Sequence, residues 1–190
     1  MEGNLDEDPG WPITPRNYFL LLIPGLGYRR LKRDRGDGLR ALRMVFVAFC
    51  NAIVLFGFVL IFVLPFCEQP TTSAILVASL ALYFVVSQLV LRVRERPLDC
   101  LALANSYRKR FFVRIAVAEV GALIGFWAAF AVQGSVVYYA SALLSLVGYR
   151  YAAPTRDSLQ REQQTLYQQG CGASLVATLR GGPYTPMPEG

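Results

Sequence analysis

Apolar residues along this chain are gathered into four long segments, Met44 to Pro65, Thr71 to Leu91, Phe111 to Val132 and Ser135 to Ala153. Between Met44 and Leu91 the only charged residue is Glu68, and between Arg114 and Tyr149 the only one after Arg114 itself is Glu119. Each segment approaches the ~20 residues that a helix rising ~1.5 Å per residue needs to cross ~30 Å of hydrocarbon. None carries a polar stripe at a spacing of 3.6 residues, which a surface helix of a soluble bundle would need. The connections Phe66-Cys67-Glu68-Gln69-Pro70 and Gln133-Gly134 read as tight turns. The pattern therefore predicts an all-α fold with four transmembrane helices, arranged as two tandem-repeated antiparallel hairpins.

Charge adds an orientation. All 19 Lys and Arg lie up to Arg43, between Arg92 and Arg114, or from Arg150 onward, and neither turn holds one. The positive-inside bias then places both termini and the middle loop in the cytoplasm, with a bacterial plasma membrane as the expected location. Met1 to Asp8 is acidic where a signal peptide would be basic, so an uncleaved amino end is expected. The net charge of +6 is accounted for by this topology and by anionic lipid headgroups at the cytoplasmic face. Accordingly Arg29-Arg30-Leu31-Lys32-Arg33 is read as lipid-facing, and no nucleic-acid partner is expected.

The expected layout follows. Residues 1–40 form a cytoplasmic segment with a short apolar stretch at 18–26, interrupted by Pro24 and Gly25, that suits an interfacial element. The four-helix membrane domain occupies 41–153. A cytoplasmic helix region covers 154–180, capped by Thr155 and stopped at Gly170, with Ala173 to Leu179 folding back on the surface. The Gly/Pro tail 181–190 is expected to be disordered.

Composition excludes several kinds of chemistry. The chain has no His, which removes imidazole triads, His-ligated zinc or haem, and the commonest general base. Its four Cys (50, 67, 100 and 171) show no C-x-x-C spacing, so neither a zinc site nor a disulfide framework is expected. Gly25-Leu26-Gly27 is only a fragment of a phosphate-binding loop. No metal, cofactor or enzymatic activity is expected, because no nucleophile, base and oxyanion donor can be assembled.

Shifting the chain by 68 residues brings Ala48, Gly57, Phe58 and Phe62 onto Ala116, Gly125, Phe126 and Phe130, and Ser73-Ala74-Ile75-Leu76 onto Ser141-Ala142-Leu143-Leu144. The register is ungapped and indicates duplication of a hairpin. In it Asn51 falls opposite Glu119. An acidic side chain at the centre of a span costs roughly 2.5–3.5 kcal/mol on insertion scales, so Glu119 demands neutralisation or a tether. Asn51, Ser79, Ser87, Gln88 and Ser145 are the candidate partners. Three roles stay open for Glu119: a packing clamp through Asn51, a proton-binding acid, and a pore-lining charge. Gly121, Gly125 and Ala129 form a small-residue face for close helix packing, and Gly57 does the same in the first helix.

The run from Arg108 through Phe111-Phe112 to Glu119, with Gly121 and Gly125 beyond it, resembles the carboxylate helix of the c-subunit (proteolipid) of rotary ATP synthases. Arg94-Glu95-Arg96-Pro97 looks like a loosened form of that family's polar loop, and the resemblance implies that Glu119 is an ion-carrying carboxylate. The expected partner helix, Thr71 to Leu91, has no Gly, where the family carries a glycine ladder. Ala152-Ala153-Pro154-Thr155-Arg156 and Gly170-Cys171-Gly172-Ala173-Ser174-Leu175-Val176 are similar to the tails of small c-subunit-like four-helix membrane proteins of actinobacteria. The two expectations are a structural or accessory membrane protein with Glu119 paired to Asn51, and a c-subunit-like proton-binding or ion-translocating protein. Either allows a homo-oligomer or a membrane-protein partner.

Overall fold

A computed structural model describes residues 38–66, 70–94 and 98–181. The expectations for the amino-terminal segment with its stretch at 18–26, for the turn at 67–69 and for the tail from 182 onward lie outside these residues. The described residues are helical, without strands. The helices are α1 (Gly38–Val63), α2 (Pro70–Arg94), α3 (Leu103–Ala131), α4 (Val136–Ala152), α5 (Arg156–Gln168) and α6 (Leu175–Leu179). Three are long and apolar enough to cross a membrane: α1, the Thr71–Leu91 part of α2, and α3. At 17 residues, α4 extends about 25 Å.

Helices α1 and α3 begin six and eight residues before the apolar spans expected at Met44 and Phe111. Their first turns have polar residues, which hydropathy reads as loop. They nevertheless repeat apolar positions at helical spacing, and Leu39, Leu42 and Phe46 on α1 and Leu103, Tyr107 and Phe111 on α3 are all buried.

The chain divides into two compact units. The first contains residues up to Val47, Arg96–Phe111 and Ala153 onward. Its core draws Leu39, Leu42 and Phe46 together with Leu98, Leu103, Tyr107, Leu159, Leu166, Leu175 and Leu179. Thr155 caps α5 as expected: its hydroxyl accepts from Ser158 N at 3.1 Å, and Ser158 Oγ accepts in return from Thr155 N at 2.9 Å, a capping box with Ser in place of the usual Glu or Gln. Helix α5 ends in a Schellman motif, with Gly170 at φ +77° and Cys171 N donating to Leu166 O at 2.9 Å. Gln163 then clamps the returning chain. Its Nε2 donates to Ala173 O at 2.9 Å and its Oε1 accepts from Leu175 N at 2.6 Å. An ion pair of 2.7 Å joins Arg110 to Glu162, each side chain 16% exposed.

One sequence expectation is overturned in this unit. Cys100 and Cys171 form a disulfide with Cα atoms 6.0 Å apart. Spacing rules detect clusters of nearby cysteines, whereas these two are 71 positions apart and meet only because the α5–α6 turn returns to the segment before α3.

The second unit holds Ala48–Glu95 and Phe112–Ala152. Here α4 is the hub, with buried residues Val137, Tyr138, Ser141, Ala142, Ser145, Gly148, Tyr149 and Ala152 recurring at helical spacing along its length. Leu80 of α2 meets Val132 and Val137 in an apolar cluster with Leu76, Val77 and Ala128. The α3–α4 turn closes with Gln133 in the left-handed region at φ 52° and Gly134 N donating to Ala129 O at 2.9 Å. The first amides of α4 cannot bond within their own helix. Ser135 N and Val136 N instead donate to Pro65 O and Phe66 O at 2.9 and 3.0 Å. In hydrocarbon, where water cannot take that place, such satisfaction is obligatory.

Candidate functional site

Two tyrosines fix α1 to α4. Tyr138 Oη donates to Ile53 O at 2.6 Å and Tyr139 Oη donates to Gly57 O at 2.9 Å, carbonyls one helical turn apart. A Cβ on Gly57 would lie 3.3 Å from the Tyr138 ring and 3.4 Å from the Tyr139 ring, so the absent side chain is what admits both. Sequence reasoning passed over this pair. Its signal was the adjacent Tyr138-Tyr139 followed by Ser141 and Ser145, hydroxyl side chains in an otherwise apolar segment.

Against α3, the fit of α4 is closer still. A Cβ on Gly125 would overlap the Ser141 side chain, one on Gly148 would come 2.9 Å from Ala118 Cβ, and one on Gly121 would rest 3.4 Å from Ser145 Oγ. Successively earlier α3 residues thus meet later α4 residues, and the two helices are antiparallel. The α1–α4 contacts run the same way, from Ile53 and Gly57 beside Tyr138 to Pro65 beside Ser135. It follows that α1 and α3 are parallel, on the same side of the exchange of direction with α4. Of the expected packing residues, Ala129 is fully buried, Gly125 is tightly enclosed, Gly57 is held by the tyrosines, and Gly121 is the loosest.

The parallel register puts Asn51, Glu119 and Ser145 at a similar depth. Phe56 of α1 and Phe126 of α3 meet with ring centroids 5.3 Å apart. Five residues back along each helix, about 7.5 Å, lie Asn51 and Gly121, and Gly121 faces Ser145. Glu119 is two residues further, about 3 Å along the axis. Asn51 Oδ1, Glu119 Oε2 and Ser145 Oγ are all buried, and none has a hydrogen-bond partner. Ser79 and Ser87, two other candidates, are engaged by their own helix: Ser79 Oγ donates to Ile75 O at 2.9 Å and Ser87 Oγ to Phe84 O at 2.8 Å. The site is therefore a polar level across α1, α3 and α4, carrying one carboxyl, one amide and one hydroxyl in a largely apolar unit.

Among the described residues no group of three His, Cys, Asp or Glu could hold a metal ion. Comparison with protein-family models, with curated proteins and with solved structures finds no match for this chain.

Proposed function

We propose that the chain is a multi-pass membrane protein of structural or accessory role, in which Glu119, held neutral and tethered near Asn51, joins the first hairpin to the second. In this reading α4 is a fourth span, its ~25 Å made sufficient by the residues that flank it, and both termini and the 92–114 segment face the cytoplasm. The three apolar helices support a membrane setting. The level shared by Asn51, Glu119 and Ser145 carries the assignment of Glu119. A buried polar atom without a partner costs ~1–3 kcal/mol, and a proton on the carboxyl lets it donate to the Asn51 amide oxygen or the Ser145 hydroxyl.

The second reading, a c-subunit-like protein whose Glu119 binds and releases a proton, draws on the same buried Oε2 and on the resemblance of the 108–126 run. Glu119→Gln separates the two. It retains shape and hydrogen-bonding capacity but cannot titrate. A clamp keeps its wild-type stability in detergent with this substitution and neither takes up nor releases a proton at Glu119 between pH 5 and 9 in the wild type. A proton site is modified by carbodiimide in the wild type and escapes modification in Glu119→Gln.

A further inference from the structure

We infer that Cys100 and Cys171 form a reversible thiol–disulfide exchange site, open as a dithiol in the reducing cytoplasm and closed by a low-molecular-weight disulfide of the glutathione class. This inference is independent of Glu119. It rests on the proposed topology and starts from a conflict: that topology puts both cysteines on the cytoplasmic side, where thiols are kept reduced, yet the fold sets them at bonding distance. A couple that opens and closes resolves it.

Three features suit the pair to exchange. First, each backbone is placed by bonds that do not involve sulfur. Asp99 Oδ1 accepts from Leu101 N at 3.0 Å, an Asx turn that presents Cys100, while the Schellman bond to Leu166 O fixes Cys171. Second, the Arg110–Glu162 ion pair and the Gln163 clamp hold α5 and the chain after it in place, so the thiols stay adjacent when the disulfide opens. Third, the cysteines differ in access: Cys100 is partly exposed and followed by Leu101 at 91% exposure, whereas Cys171 is buried at 4%.

That difference orders the steps. The Cys100 thiolate attacks one sulfur of the small disulfide, forming a mixed disulfide and releasing one small thiolate. The Cys171 thiolate then attacks the Cys100 sulfur, closing the Cys100–Cys171 bond and releasing the second small thiolate. Two protein thiols are oxidised and one small disulfide is reduced to two thiols. The reverse sequence opens the site.

The test uses the full-length chain carrying Cys50→Ser and Cys67→Ser, expressed in cells, quenched with acid, denatured without reductant and tagged with a maleimide bearing a polymer. Untreated cells are expected to yield doubly tagged protein, a brief challenge with diamide is expected to abolish both tags together, and recovery in reductant is expected to restore them. Cys171→Ser in the same background, after the challenge, is expected to carry a trapped mixed disulfide on Cys100. Tags that survive the challenge would overturn the proposal, as would protein that is untagged before it and becomes tagged only after reductive denaturation. An adduct absent from Cys100 in Cys171→Ser would overturn the order of attack.

Discussion

The hydroxyl of Tyr138 donates to the carbonyl oxygen of Ile53 at 2.6 Å, so the helix that follows the α3–α4 turn is bonded to the main chain of the first helix, 85 positions earlier. With the parallel bond from Tyr139 to Gly57, this makes α4 more than a surface hairpin arm. Interhelical hydrogen bonds in membranes contribute about 0.6 kcal/mol on average and up to about 1.7. Tyr138→Phe is expected to lower stability by about 1 kcal/mol, measured by unfolding in mixed micelles, and Tyr138→Phe with Tyr139→Phe by about twice that.

The glycines of α3 are expected to respond unequally. At Gly125 an added methyl would overlap Ser141, and α3 and α4 would have to separate. Overpacking of this kind costs ~1–3 kcal/mol. At Gly121 the nearest atom is Ser145 Oγ at 3.4 Å, and Ala has the better helix propensity. Gly125→Ala is expected to destabilise, with partial recovery on adding Ser141→Gly, while Gly121→Ala is expected to be neutral to within about 0.5 kcal/mol. Thermal unfolding of the purified variants in one detergent reads all three.

In the first unit, the Arg110–Glu162 pair is mostly enclosed and short at 2.7 Å, yet not fully dry. Removing one partner leaves the other charged group under-solvated, so Glu162→Gln is expected to cost more than a surface pair's ~0.2–1 kcal/mol, while changing both partners recovers part of the loss. Limited trypsin cleavage after Arg161 is a direct readout, because α5 must open for the protease to bind. Faster cleavage in Glu162→Gln is the expected result.

How much of this was legible in the sequence depends on the range of the determining interactions. Apolar length alone located the three long helices, since a bilayer demands uniform hydrophobicity along the span. Local chemistry located Thr155 as a cap and Gly170 as a stop, because both act within four residues. Helix starts were missed by six and eight residues. Leu39 and Leu103 begin amphipathic turns that are buried in a unit assembled from three separate stretches of chain, and no local window contains that information. The disulfide was invisible for the same reason. The Asn51 and Glu119 correspondence was read from the internal repeat, and the Phe56–Phe126 contact puts the two residues at a similar depth. Ser145 was one candidate of five until the packing of α4 on α3 set it opposite Gly121.

The central claim is that Asn51 and Glu119 interact across parallel α1 and α3. A double-mutant cycle of Asn51→Leu and Glu119→Leu, followed by reversible unfolding in mixed micelles, measures that interaction free of the changes each substitution makes alone. A coupling energy of about 0.6–1.7 kcal/mol, the size of an interhelical hydrogen bond in a membrane, is the expected result. Additivity of the two substitutions to within about 0.3 kcal/mol would contradict the account.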